Sequence, residues 1–509
     1  MKNLKTAIID IGSNTIRVVM YTYNKNEGLH EFGNIKTVAR LRTHLLPTGE
    51  MSEEGIQILE NTLLSFKEIL NDYNVTDIKA CATAAVRQAT NNEEIVTRMK
   101  ERTSIEINIL SEEEEAYFGF LAVVNSMETP SAVTIDIGGG STEITLYINK
   151  KLQRTHSFPF GTVSLKQRFV KGTNMNEQER LELHKFIVEQ FELLDWVKGT
   201  GLPIVAIGGS ARNVAQIHQQ QVDYPISGLH QYEMHYDELD ELKNQLGLMS
   251  FETLKQLDGL ASDRADIIVP AIEVFTTLME VVGTTNFQLS KKGLREGLII
   301  NRVLQTDQDA FDKYNVFEEN ARRIAVAYGR SEEEGNTLYV LADKLYKDCC
   351  KYKYFEYSDD SYELLMKAAK VYAIGEYIEL DSSSQHTFYL LANQSITGMT
   401  HVDRVKLALL ASYKNRDYFR RFSTPFNAWF SREELRELRD LGALLKFVYA
   451  LNVSKRNIVK DVRVEPKEGK VHVFVTTCDS AVSEKYQANR TKKHLERIFR
   501  QEVEIHFNG

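Results

Sequence analysis

The densest chemistry in the sequence lies in Asp136-Ile137-Gly138-Gly139-Gly140-Ser141-Thr142-Glu143. Apolar runs flank it, Ala132 to Ile135 and Ile144 to Ile148, so it reads as the turn of a β-hairpin. Three consecutive glycines remove every Cβ from the bend and let backbone N–H groups approach an anion. Asp136, where strand meets turn, suits a hydrated divalent metal. The same grammar recurs at Asp10-Ile11-Gly12-Ser13-Asn14-Thr15, again between apolar runs. One such hairpin could be a plain glycine turn with a charged rim. Two of them, far apart in sequence, predict two similar lobes facing one cleft. A third turn, Ile207-Gly208-Gly209-Ser210, follows a strand and opens a helix, whose N-terminus attracts anions.

Two further residues carry chemistry. Arg87 lies just past a short strand, in the Ala-rich helix start Thr83-Ala84-Ala85-Val86-Arg87. Its guanidinium offers a rigid fork of donors to phosphate, although the segment alone is also compatible with a surface arginine. Ser111 and Glu114 form a capping box, and acids favour that helix end. Glu115 is not needed for the cap and is free to act as a general base.

The elements that must position these residues follow from periodicity. Residues 4 to 38 alternate as three strands, and a helix follows Ser52. Ile78 to Ala82 and Ile105 to Leu110 read as strands, and residues 131 to 160 as the strands of a second lobe. Then come a basic helix with Lys166, Arg168 and Lys171, an amphipathic helix over about Glu177 to Val197, and the helix opened by Gly208. Residues 234 to 257 look helical. Asp263 to Val282 reads as one long apolar helix, Thr284 to Ser290 as a strand, and Gly293-Leu294-Arg295-Glu296-Gly297 as the lead into a last helix.

After about Leu304 the character changes. A polar linker leads to a helical stretch from Phe317 to Phe422. From Arg432 another helix precedes two alternating runs and a basic helix with Arg490, Lys492, Lys493, Arg497 and Arg500. The expected domains are 1–125, 126–304, 315–428 and 429–509.

A chain of 509 residues is too long for one core. Its net charge of -9 argues against a general nucleic-acid binder. The four cysteines show no metal spacing, which favours a reducing, cytoplasmic setting. No apolar run approaches membrane-spanning length, and the first residues lack a secretory signal pattern.

In order, Asp10 to Asn14, Thr83 to Arg87, Ser111 to Ala116, Asp136 to Glu143, Gly208 to Ser210 and Gly293 to Gly297 resemble the exopolyphosphatase and guanosine pentaphosphate phosphohydrolase family. The turns look like those of the actin, Hsp70 and sugar-kinase fold. The resemblance implies an α/β fold with an actin-like two-lobed N-terminal half, an all-helical HD-like domain and a small α+β C-terminal domain. It implies catalysis by Glu115 and Arg87, and phosphate binding by Ser13, Asn14, Gly139, Gly140, Ser141, Gly209 and Ser210. It also implies Mg²⁺ or another divalent cation near Asp10, Asp136 and Glu143. The family usually has glycine where this chain has Glu112. Long members carry a His-Glu pair where this chain has Ala373-Ile374, and His386 alone makes no metal site, so the helical domain is expected to be scaffold and channel wall. A homodimer is implied as well.

The first functional expectation is an exopolyphosphatase acting on inorganic polyphosphate, with the C-terminal basic patches tracking the polyanion. The second is the same chemistry on guanosine pentaphosphate. An ATP-using kinase or chaperone on this fold is disfavoured by Arg212, a charge where an adenosine pocket needs flat apolar walls. A non-catalytic binder is disfavoured by the intact set of acids and Arg87.

Overall fold

The computed structural model describes residues 4–25 and 27–508. It divides into two compact units, Met1–Tyr224 with Leu229–Val316, and Pro225–Gly228 with Phe317–Gly509.

The first unit is built on two sheets. Strands β1 (Leu4–Ile11), β2 (Thr15–Asn24), β3 (Gly28–Val38), β4 (Asp77–Ala82) and β5 (Ile107–Ile109) form a sheet of order β3-β2-β1-β4-β5. Strands β6 (Ala132–Ile137), β7 (Thr142–Ile148), β8 (Lys151–Phe158), β9 (Ile204–Ile207), β10 (Tyr232–His235) and β11 (Asn286–Leu289) form the other, in the order β10-β11-β9-β6-β7-β8. With β10 set aside as an added edge strand, the second order repeats the first. In both, a three-stranded antiparallel meander is extended by two parallel strands beside its first strand. The lobes are therefore duplicates in topology, as the paired hairpins imply. Central strands buried on both faces read as apolar runs: Ala7, Ile8, Ile9, Val133 and Ile135 are all at most 1% exposed.

Several boundaries differ from those the periodicity predicts. The helix Glu177–Phe191 stops short of Val197, and Leu194 and Val197 reach the core from turns instead. Residues 232–255 split into β10 and the helices Tyr236–Leu248 and Phe251–Lys255. The long apolar helix begins at Ile268. Pro270 explains that start, because a ring without an N–H is tolerated only in a first turn. Asp263 and Arg264 consequently lie in a separate short turn.

The second unit is helical from Phe317 to Ala450, apart from short turns. It closes with strands β12 (Val459–Lys467), β13 (Lys470–Thr477) and β14 (Val503–Asn508) and the helix Val482–Phe499. The last strand, not anticipated from the sequence, runs parallel to β13 at the sheet edge. Within the stretch expected to be helical, the helix Asp359–Lys370 ends before Ala373. Ala373 is left-handed (φ 57°), and Gly375 sits so close to Ser383 O that a Cβ would approach it to 2.4 Å. Among the described residues no helix is long and apolar enough to cross a membrane.

Candidate active site

The cleft of the first unit forms at the carboxyl ends of β1, β4, β6 and β9, where ligands bind in open α/β sheets. Each lobe contributes equivalent positions. Asp10 and Asp136 are the penultimate residues of β1 and β6. Across their hairpins they face Arg17 and Glu143. Arg87 lies five residues beyond the end of β4, and Arg212 five beyond the end of β9. Glu115 and Arg295 lie six beyond the ends of β5 and β11. The duplicated scaffold thus puts four charged side chains per lobe at equivalent positions, two acids and two arginines from each.

Both hairpins turn alike. Gly12 N–H donates to Thr15 O (3.0 Å) and Gly138 N–H to Ser141 O (2.9 Å). A Cβ on Gly139 would lie 3.0 Å from Ser13 Cβ, and one on Gly140 3.2 Å from Ser13 Oγ, so a side chain at either would crowd the other turn. The triple-glycine turn is braced from behind by Gly161. Its backbone lies so near that a Cβ there would be 2.5 Å from Gly138 O and 2.7 Å from Gly140 N. Thr162 and Val163 N–H groups donate to Gly138 O and Gly139 O (2.9 and 3.0 Å). Gly208, at φ 92°, passes Asp136 at a distance that leaves no room for a side chain.

The walls enclose a cavity of about 150 Å³. Asp10, Ser13, Asn14, Glu115, Asp136, Gly139, Ser141 and Gly209 line it. Gly140, Ser210, Arg87 and Glu143 do not. Gly140 is turned against Ser13. Arg264 Nη1 donates to Ser210 Oγ (3.3 Å). Arg87 Nη1 donates to Glu115 Oε2 and to Leu110 O, both at 2.9 Å, so it holds the expected base rather than lining the cavity. Its Nε and Nη2, and Asn14 Nδ2, are buried without a hydrogen-bond partner. The capping box forms as expected, with Glu114 N–H donating to Ser111 Oγ (3.1 Å) and Ser111 N–H to Glu114 Oε2 (2.9 Å). Glu115 is thereby left for the cleft.

Positive charge comes from residues the sequence did not mark as ligands. Arg212, Arg264, Arg295 and Lys291 line the cavity, and Arg17 stands behind Asp10. Arg212 is pushed down from the usual arginine range by burial and then by Arg295 and Arg264. Arg17 is pushed down by burial and then by Arg295 and Arg212. Guanidiniums that destabilise one another want an anion between them. Offsets from strand ends in the internal repeat were the signal that could have found Arg212 and Arg295.

The acids are perturbed in the opposite sense. Burial pushes Glu115 up to about 7, against the pull of Arg87. Burial pushes Asp136 up to about 6, opposed by Arg212 and assisted by Asp10. Asp10 is raised by burial, with Arg295 (3.5 Å) and Arg17 opposing. Glu143 is raised well above the carboxylate range by burial, then Glu115 and Asp136, while Ser157 Oγ donates to it at 3.2 Å. These oxygen donors suit a hard cation. They do not converge as a protein cage: among the described residues, the one His/Cys/Asp/Glu group with three ligand atoms within 4.8 Å lies elsewhere. Such a set would suit a hydrated cation held by one or two carboxylates, with water and phosphate oxygens as its other ligands.

A second charged cavity, about 1290 Å³, lies within the second unit. Ten lysines and arginines line it with one acid, Asp417. Arg490, Lys493 and Arg497 reach it from one face of the helix Val482–Phe499, whereas Lys492 pairs with Glu496 (3.5 Å). Burial pushes Lys446 down to about 8, with Lys493 and Lys414 adding to it. Burial also pushes His494 down to about 4, with Lys446 adding. Arg439 pairs with Asp440 (2.8 Å) and Arg420 with Asp417 (3.6 Å); the cavity as a whole still carries a large excess of positive charge.

Amide-rich turns, clustered arginines and a carboxylate poised near neutrality together suit the gripping of a terminal phosphate while a water is activated beside it. That places the protein among phosphatases built on duplicated α/β lobes. It belongs to the Ppx/GppA phosphatase family, whose model matches residues 21–306; the model of the family's domain III matches residues 316–495. The bifunctional 3-dehydroquinate synthase/phosphatase of Fusobacterium nucleatum is 24% identical over 314 residues, 59% of this chain. The match spans about half of that relative's length, 47%. The guanosine-5'-triphosphate,3'-diphosphate pyrophosphatase of Pseudoalteromonas translucida is 24% identical over 426 residues, 81% of this chain and 80% of that one. Among solved structures, an exopolyphosphatase from Cytophaga hutchinsonii superposes with a TM-score of 0.55 at 24% identity, covering 59% of this chain and 98% of that one. The Ppx/GppA family member of Aquifex aeolicus gives 0.53 at 26% identity, covering 60% and 99%.

Proposed function

We propose that the protein is an exopolyphosphatase that hydrolyses the terminal phosphoanhydride bond of inorganic polyphosphate and releases orthophosphate. The observation that carries this reading is Glu115. Its carboxylate is anchored by Arg87 at 2.9 Å and pushed by burial up to about 7. A general base works best with its pKa near the operating pH. Glu115 orients the attacking water and takes its proton. Arg87 holds Glu115 in place. Amides of Gly139 and Ser141 and the Asn14 side chain cradle the terminal phosphate, and Arg212, Arg264 and Arg295 balance its charge. Bound Mg²⁺ would neutralise phosphate oxygens, with Asp136 and Asp10 the carboxylates best placed to hold it. The large basic cavity of the second unit supports a polymeric anion as substrate.

The second reading, a guanosine pentaphosphate phosphohydrolase, is favoured by the Pseudoalteromonas relative, which matches both units. It uses the same residues. The test is phosphate release from polyphosphate, guanosine pentaphosphate and ATP in parallel, with and without Mg²⁺, for the natural protein and Glu115→Gln. Fast release from polyphosphate, reduced about 10²–10⁴-fold in the variant, is the expected result. Preference for the guanosine nucleotide would promote the second reading. Unchanged release by Glu115→Gln would remove the assigned base.

A further inference from the structure

The strands β13 and β14 bring two histidines and a glutamate together far in sequence from the cleft residues. They run parallel, with His472 opposite Glu504 and Phe474 opposite His506. Side chains alternate along strands, so His472, Glu504 and His506 stand on one face. His472 Nδ1 lies 2.9 Å from His506 Nε2 and 3.7 Å from Glu504 Oε2. The three ligand atoms all fall within 4.8 Å of one another. A tetrahedral zinc ion with bonds of about 2.0–2.1 Å sets its ligand atoms roughly 3.3 Å apart, so small side-chain shifts suffice. All three residues are partly exposed, which leaves the site open to solvent.

The surroundings hold the donors in position. Lys470 Nζ donates to Glu504 Oε1 at 2.5 Å and approaches Glu502 Oε2 at 3.2 Å. The second oxygen of Glu504 is left facing His472. Phe474 stacks on His506 (5.1 Å, 23°), and the two imidazoles stack on each other (5.2 Å, 21°). Such second contacts orient a ligand and tune its affinity for metal.

We propose that His472, Glu504 and His506 form a zinc-type transition-metal site that clips the edge strand β14 to β13. Imidazole and carboxylate together select Zn²⁺ or Co²⁺ over Mg²⁺, which separates this site from the all-oxygen cleft. Three protein ligands leave a fourth position for water. The site's role is structural, because nothing of the proposed phosphatase chemistry lies on this sheet.

The test is titration of the full, metal-stripped chain with Zn²⁺ by calorimetry, and with Co²⁺ by visible absorption. The proteins are the natural chain, His506→Ala, Glu504→Gln, Lys470→Met and Asp136→Asn. One equivalent of Zn²⁺ is expected, retained in Asp136→Asn and weakened at least ~100-fold in His506→Ala and Glu504→Gln. Lys470→Met removes a cation that competes for Glu504 and should not weaken binding. Co²⁺ should give the intense bands of a four-coordinate ion, absent in His506→Ala. Unaltered phosphate release by His506→Ala would show that the variant is folded. Zinc binding equal in the natural chain and in His506→Ala, or no equivalent bound at all, would overturn the proposal and leave a stacked, hydrogen-bonded histidine pair.

Discussion

Replacing Arg87 by glutamine should move the acid limb of the phosphatase rate profile to higher pH. In the structure Arg87 Nη1 lies 2.9 Å from Glu115 Oε2, and Glu115 titrates near 7 with that partner in place. Two unit charges at this separation interact by ~6 kcal/mol at an effective dielectric of about 20, equivalent to roughly 4 pH units. Glutamine is shorter and uncharged, so water enters the space and recovers part of that loss. The expected displacement is therefore about 1–3 units, the range known for a carboxylate beside an arginine. The assay is kcat/KM for phosphate release from pH 5 to 10 at constant ionic strength and constant Mg²⁺, which reports the free enzyme. The substrate's own ionisation is common to both proteins and cancels in the comparison. Arg87→Lys keeps the charge and should keep most of the limb's position. A limb that stays near 7 in Arg87→Gln, at any level of activity, would refute Glu115 as the group whose deprotonation admits catalysis.

Two other consequences follow from the same packing. Asp136 titrates near 6 when folded against an ordinary 3.8, so the native state retains a proton that the unfolded chain has lost. Stability of the metal-free protein therefore falls as pH rises through that window, and Asp136→Asn should be more stable than the natural chain at pH 8 by at most about 3 kcal/mol; the difference should vanish below pH ~4, as thermal unfolding at both pH values will show. Gly161→Ala places a Cβ 2.5 Å from Gly138 O and should displace the triple-glycine turn, at a cost of about 1–3 kcal/mol in stability and roughly 10²-fold in rate; unchanged melting and turnover would mean that the turn yields without consequence.

The local sequence specified much of this. Apolar runs interrupted by Asp-Gly turns specify hairpins because a strand's side chains alternate and only glycine permits the bend. The Ser111–Glu114 cap and the spare Glu115 were legible for the same local reason, since a capping box uses residues at fixed spacing. Pro270 fixed a helix start that apolar periodicity blurred. The edge strand β14 was not legible. Six residues without a hairpin partner nearby in sequence declare themselves only when β13 is there to pair.

The charges divide along the same line. Which side chains could bind phosphate or take a proton was set by residue type and by position after a glycine turn. Whether they do so was set by burial and by neighbours hundreds of residues away. Arg295 meets Asp10 and Arg264 covers Gly209 only because the two sheets present equivalent ends to one cleft. Arg87 meets Glu115 because β4 and β5 are neighbours in one sheet and end side by side. Chain-local rules decide which residues a turn or cap exposes. The burial that pushes Glu115 up to about 7, and the charges of Arg87, Asp136 and Asp10 that modify it, exist only in the folded molecule.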